Sequence, residues 1–497
     1  MLIRELLERN KENNKIALKQ GDREVSYSEW YKLSSKIAER INHSISGDAH
    51  NIAIFLPNSI SYAIAYFGIS FSNRVIVPVD CNITAYELRS VLKYCEVDLL
   101  ISDEEHKDFL KEALGEYEYK CGMLNIDSNK IECSYGKSYI EKTEGRIQAP
   151  KENDTAIMLH TSGTTSNPKR VMLTHLSLLS NVQSNIESLH FNENDKVLLA
   201  LPMYFGYCNT AQFLTHIYLG ATIVIYSGIF TPNRFCSIVE KEKITNFTAV
   251  PTMLLLLLRY QKASKYDLSS LRIVCFGGSA LSKEHIKRLF KRFPHVDFIH
   301  TYGQTEASPR LTALLADDMV RKCGSVGKAI PYVEVKVFDE FHHEVKAYEV
   351  GEIVARGKNI MKGYYKQEVL STQTIMDGFL YTGDLGYADD EGYLYIVGRK
   401  KNMFITKGIN VYPEEIEEVI MQCDGVLAVY VFGEKDELQG ETAAAKVVID
   451  KNSKCTVESI KKYCELKLSS YKIPKRIYFV DSLERTYNGK IKRNTSQ

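Results

Sequence analysis

The sequence predicts an α/β fold of parallel sheets with helices on both faces, followed by a small α+β unit. Three observations carry this expectation. Short apolar runs alternate with segments of helical spacing along most of the 497 residues, the order that βαβ connections impose. With 44% hydrophobic residues, a chain of this length buries several cores, because single cores stop growing at roughly 250–300 residues. The pattern then changes character twice, near residues 332 and 398.

Taken in order, strands are expected at 51–56 and 75–79, both short and largely apolar, with a helix at 59–71 between them. A helix at 85–94 and a strand at 98–101 follow, and the strand pattern returns at 196–201, 222–226, 272–276 and 297–300. From 332 to 365 short strands and turns take over, with strands at 333–338 and 351–355, which reads as a small β-rich subdomain. Gly398-Arg399-Lys400-Lys401-Asn402 is a polar, basic link between apolar runs and marks a boundary. Beyond it come a helix at 413–422, strands at 427–432 and 443–449, a helix at 457–468 and a strand at 476–480. That is about one small domain.

Composition narrows the function. The 63 basic and 62 acidic residues leave a net charge of +1, and the basic residues form no concentrated block. Binding to nucleic acid or to an anionic membrane is therefore not expected. The 11 cysteines are scattered from Cys81 to Cys464 without a C-x-x-C pair, so reduced thiols and a cytoplasmic location are expected rather than disulfides or zinc. The N-terminus is amphipathic and charged, unlike a signal peptide. Apolar runs such as 253–258 fall far short of the ~20 residues that span a bilayer, so no membrane insertion is expected.

The stretch Thr161-Ser162-Gly163-Thr164-Thr165-Ser166-Asn167-Pro168-Lys169 sets five hydroxyls, one glycine and one lysine directly after the apolar run 156–159. Hydroxyls and backbone N–H groups can donate to phosphate oxygens, while lysine adds a point charge. Equally, Ser, Thr, Gly, Asn and Pro are ordinary turn residues. The spacing does not fit G-x-x-x-x-G-K-[ST], which excludes the P-loop of kinases and GTPases.

With Pro168-Lys169 and Thr174-His175 added, this stretch resembles the phosphate-binding signature of the adenylate-forming superfamily: acyl- and aryl-CoA synthetases, peptide-synthetase adenylation domains and luciferases. The resemblance runs from residue 25 to Lys490, with every motif in family order. It implies that Thr161, Ser162, Gly163, Thr164, Thr165 and Lys169 hold the phosphates of ATP, Thr165 with a catalytic share. Ser166 and Arg170 stand where the family usually has glycine, and an altered loop rather than a lost one is expected.

Three further matches assign roles by the same resemblance. Thr301-Tyr302-Gly303-Gln304-Thr305-Glu306 follows a strand, where open α/β sheets bind ligands. It implies Tyr302 and Gly303 beside adenine, Thr305 near the α-phosphate and Glu306 on Mg²⁺. The loop Gly277-Gly278-Ser279 would line both the adenine and the acyl pockets, and Phe205-Gly206-Tyr207 would supply an aromatic lid over the acid. In Thr382-Gly383-Asp384, Asp384 would accept hydrogen bonds from both ribose hydroxyls, with Arg399 on the same sugar and Lys401 as hinge. Gly489-Lys490-Ile491 near the C-terminus implies Lys490 as the catalytic cation, and Gly408 would leave room for a pantetheine arm.

The implied architecture is an N-terminal domain over 1–398, of two α/β sheets plus a small β-barrel, a hinge at 399–401 and a mobile C-terminal domain over 402–497. The implied chemistry is attack of a carboxylate on Mg·ATP, release of pyrophosphate, and transfer of the acyl-adenylate to a thiol. Coenzyme A is the expected acceptor. The phosphopantetheine of a separate carrier protein is the alternative, and a non-catalytic binder or a luciferase-like oxidation is less favoured. Gly206 stands where amino-acid-activating members place an Asp, and Gly278-Ser279 lacks their Glu, which favours a carboxylic acid without an α-amino group. Oligomeric state is not implied.

Overall fold

The structure, a computed structural model, describes residues 1–45, 50–114, 122–126, 148–160, 169–278, 281–406, 409–436, 440–450, 453–484, 491 and 493. Two large sheets dominate. The seven-stranded sheet places Asn51–Ile54, Val75–Pro78, Val97–Ser102 and Thr155–His160 in parallel, with Arg170–Thr174 antiparallel at one side. The nine-stranded sheet runs parallel through Thr222–Ile225, Lys196–Leu199, Asn246–Ala249, Ile273–Gly277 and Asp297–Gly303. Arg310–Leu314 returns antiparallel beside Asp297–Gly303.

The expected strands appear where apolar spacing put them, with ends shifted by a few residues, while the central strand Asn246–Ala249 was not anticipated. Local chemistry fixes the helix starts. Ser59 accepts from the Tyr62 amide to open helix Ile60–Phe71, and Thr84 with Glu87 closes a capping box on Ala85–Tyr94. The first of these helices is apolar on nearly every side, as an interior helix must be. It packs with helix Tyr27–Ser44 in a core drawing Leu18, Ile54, Leu199 and Ile223 from both large sheets. There the Trp30 ring meets Phe67 edge-on at 5.1 Å. A hairpin of Ile16–Gln20 and Arg23–Ser26, not anticipated, extends the edge of the nine-stranded sheet. Its Lys, Arg and Glu residues hid the strand pattern and suit a solvated edge.

The β-rich stretch forms a five-stranded antiparallel sheet, curled as a half-barrel, from Val333–Phe338 to Leu394–Arg399. After it a second five-stranded sheet begins at Phe404–Thr406. Helices Pro413–Ile420 and Val457–Glu465 cover that sheet, and Phe404, Ile416, Val431, Val447 and Ile460 form its own core. Among the described residues, no helix is long and apolar enough to cross a membrane, and the nine described cysteines are all free thiols.

Candidate active site

Strand Asp297–Gly303 delivers the centre of the site. Its last residues pair with Arg310–Leu314, and a Cβ on Gly303 would lie 1.9 Å from the Pro309 carbonyl oxygen. No other residue fits there. The close approach turns the chain so that Tyr302, Thr305 and Glu306 share one end of the sheet.

Tyr302, Asp384 and Arg399 come from three separate motifs and meet. The Tyr302 hydroxyl donates to Asp384 Oδ2 at 2.8 Å, and Arg399 Nε lies 2.8 Å from Asp384 Oδ1. Sheet register explains the second contact, because Asp384 on strand Phe379–Ala388 is the direct partner of Arg399 on Leu394–Arg399. Burial, reinforced by the Asp384 carboxylate, holds the Tyr302 phenol well above its ordinary pKa, so it donates at neutral pH. The same carboxylate raises Arg399 further. Each carboxylate oxygen keeps a lone pair for a further donor such as a sugar hydroxyl.

Glu306 sits in the short turn Thr305–Ala307 and accepts from the Tyr364 hydroxyl at 2.9 Å. Lys169 places its ammonium 5.0 Å from the centre of the same Tyr364 ring. One tyrosine thus links the lysine of the phosphate signature to the expected metal ligand. Nothing in the sequence singled out Tyr364. The available signal was an aromatic pair directly after Gly363 in a turn-rich segment.

The residues expected to line the acyl pocket converge on the same strand end. The Tyr207 hydroxyl lies 2.6 Å from Thr301 Oγ1, and Gly277 pairs with Thr301. A methyl on Gly206 would meet Thr305 Cγ2 at 3.5 Å, which brings the lid segment beside the expected α-phosphate position. Phe205 caps the helix Gly206–Cys208 and packs edge-on against Tyr204 at 4.9 Å. Gly278 follows in the left-handed region at φ +85°. The helix continues as a π turn, Asn209–Leu214, a distortion often found at functional sites.

Other expected residues fall differently. Arg170 is not at a loop tip: it opens strand Arg170–Thr174, is buried, and donates from Nη1 to the Pro78 carbonyl at 3.4 Å. Lys401 lies in the 3-10 turn Lys400–Asn402. Partial burial and the neighbouring cations Arg399 and Lys169 hold its ammonium below the ordinary pKa. Thr161, Ser162, Gly163, Thr164, Thr165, Ser166, Ser279, Gly408 and Lys490 lie outside the described residues. Among the described residues no group of three or more His, Cys, Asp or Glu could hold a metal ion. Glu306 as a single carboxylate nevertheless suits Mg²⁺, which takes one or two carboxylates and completes its shell with phosphate oxygens and water.

Comparison with known proteins gives a consistent result. The AMP-binding enzyme family matches residues 7–365, and the AMP-binding enzyme C-terminal domain matches 415–490. The chain is 31% identical to the putative acyl-CoA synthetase YngI of Bacillus subtilis, over 94% of this chain and 90% of that protein. It is 32% identical to the long-chain-fatty-acid–CoA ligase of Bacillus subtilis, over 89% and 84%. The Bacillus subtilis o-succinylbenzoate CoA synthetase (MenE), solved with its acyl-adenylate intermediate, superposes with TM-score 0.87 at 26% identity, over 99% of this chain and 97% of that one. The same synthetase has been solved with ATP and magnesium ion.

Proposed function

The chain belongs to the AMP-binding enzyme family, and from that premise we propose how its residues activate a carboxylic acid and pass it to coenzyme A as an AMP-forming ligase. The observation that carries the reading is the meeting of Tyr302, Asp384 and Arg399 beside Glu306. A nucleoside needs an aromatic face, a ribose acceptor and a nearby cation, and these come from motifs far apart in the chain.

In this reading Tyr302 stacks on adenine, while Asp384 and Arg399 hold the ribose. Lys169 and the hydroxyls of 161–165 hold the phosphates. The acid enters past Phe205 and Tyr207, and its carboxylate attacks the α-phosphorus as pyrophosphate leaves. Negative charge gathers in that transition state, where Lys490 and Thr165 stabilise it electrostatically. Mg²⁺ bound through Glu306 would neutralise phosphate charge.

The second half transfers the acyl group from the adenylate to the thiol. We assign 399–401 as the hinge between a domain over 1–398 and one over 402–497. Rotation there withdraws Lys490 and brings Gly408 up to admit the pantetheine arm, so one site serves two reactions. The scattered cysteines, with no C-x-x-C pair in the sequence, support a reducing, cytoplasmic setting. The acids named for the relatives range from long-chain fatty acids to 4-coumarate, so relatedness does not choose this chain's acid.

The test is pyrophosphate release from Mg·ATP across aryl, short, medium and long-chain acids and amino acids, with and without coenzyme A. Acid-dependent release raised by coenzyme A is expected. No release with any acid, in protein that still binds ATP, would overturn the proposal.

A further inference from the structure

One buried cation has no role in the reaction just described. Arg310 opens strand Arg310–Leu314 and is 2% exposed. Its Nη1 donates to Asn185 Oδ1 at 2.6 Å, but Nε and Nη2, both buried, have no hydrogen-bond acceptor among the described residues. None of the ion pairs among the described residues includes it. A guanidinium taken out of water without a counter-charge is costly, and interiors tolerate one only where an anion answers it.

Its placement says where that anion would sit. Arg310 is the direct strand partner of Gly303, and a Cβ on Gly303 would lie 2.9 Å from Arg310 Cα. Arg310 lies close enough to the Tyr207 hydroxyl and to Cys275 of strand Ile273–Gly277 to favour their ionised forms, but burial keeps both groups neutral and neither supplies a counter-charge. Tyr207 and Gly277 are residues of the expected acyl pocket. Asn181 and Asn185, one helical turn apart on His175–Leu189, are buried and hold the arginine in place. Asn181 Nδ2 donates to the Arg310 carbonyl at 2.8 Å. Two buried asparagines that fix a cation, and no acid among the described residues to discharge it, make a built receptor for an anionic group.

We propose that Arg310 is the specificity-determining residue of the acyl pocket, and that the acid carries a second carboxylate which pairs with its guanidinium. The substrate class is then a dicarboxylic acid: one carboxylate attacks ATP while the other stays ionised against Arg310. This rests on the acyl-pocket assignment above. It excludes unbranched fatty acids, whose methyl end would leave the guanidinium buried and unpaired.

Matched triads test it: a C4–C8 or aryl dicarboxylate, its monomethyl ester, and the monocarboxylate of equal length. Pyrophosphate release should favour the diacid on the order of 10- to 100-fold in kcat/KM, the worth of a charge-assisted pair. Arg310→Met should erase that preference while leaving the KM for ATP unchanged, which a merely structural role would not do. If Arg310→Met does not fold, Arg310→Lys should retain the preference and Tyr207→Phe should weaken it. Wild-type turnover of ester and monoacid equal to the diacid overturns the inference while leaving the ligase reading intact. Should no acid release pyrophosphate, the ligase reading fails instead, and thermal shifts with AMP and each triad decide the inference. A diacid-specific, Arg310-dependent shift sustains it; its absence overturns it.

Discussion

Asp384→Asn separates nucleotide binding from folding most cleanly. The carboxylate is 5% exposed and takes Tyr302 at 2.8 Å on one oxygen and Arg399 at 2.8 Å on the other. Asparagine keeps one acceptor and loses the charge. One charge-assisted bond becomes neutral and one oxygen becomes a donor facing either a phenol or a guanidinium. Hydrogen bonds to charged groups are worth about 1.5–3 kcal/mol, roughly twice neutral ones. The Arg399 side chain is 45% exposed, so water discounts its share, and a stability loss of about 1–2 kcal/mol is expected. ATP binding should suffer more, because the ribose loses an ionised acceptor: about 2 kcal/mol, or a 30-fold rise in the KM for ATP. The assay is pyrophosphate release against ATP at saturating acid, with thermal melts in parallel. Tyr302→Phe is the control, because it breaks the same contact but leaves the carboxylate. It should melt lower yet raise the KM for ATP by only about threefold. Equal KM for ATP in wild type and Asp384→Asn would refute the ribose assignment, whatever happens to the melting temperature.

Three further outcomes follow. Glu306→Gln should lower kcat on the order of 100-fold, and Tyr364→Phe, which removes the hydroxyl donating to Glu306, should raise half-saturation by Mg²⁺ about tenfold; a magnesium titration of both variants checks this. Lys490→Ala should cut adenylation on the order of 100- to 1,000-fold while thioester formation from supplied acyl-adenylate persists, so equal loss of both halves would remove the lysine from its assigned role. Burial holds His216 and His300 down to about 4. Their pKa is lower folded than unfolded, so the unfolded chain binds more protons below about pH 6.5 and stability falls with pH. Each should cost about 1 kcal/mol between pH 7.5 and 5.5, read as a falling urea midpoint; a flat midpoint would contradict their burial as neutral groups.

The contiguous parts of this protein were legible in the sequence, and the distant meetings were not. Apolar runs located most of the parallel strands, because interior strands are mostly apolar; Asn246–Ala249, whose four residues include Asn246 and Thr248, gave no such run. Ser59 and Thr84 opened their helices because a cap acts within four residues. The charged hairpin Ile16–Gln20 and Arg23–Ser26 escaped notice because a solvated edge imposes no apolar period. Motif resemblance named Tyr302, Asp384 and Arg399 one at a time, but register between two strands and the docking of the half-barrel decided that they touch. Tyr364 became visible only through its contacts with Glu306 and Lys169.

By itself, then, the sequence determined the α/β class and the family. Those follow from local spacing and from residue types whose chemistry does not depend on neighbours. Only the tertiary structure decided that Arg310 is a buried cation rather than a surface one. An arginine between proline and leucine carries no sign of burial. The strand pairing that sets it against Gly303, and the two asparagines that arrive from a helix more than a hundred residues earlier, remove its water. Charge is written in the sequence, whereas its desolvation is a property of the fold.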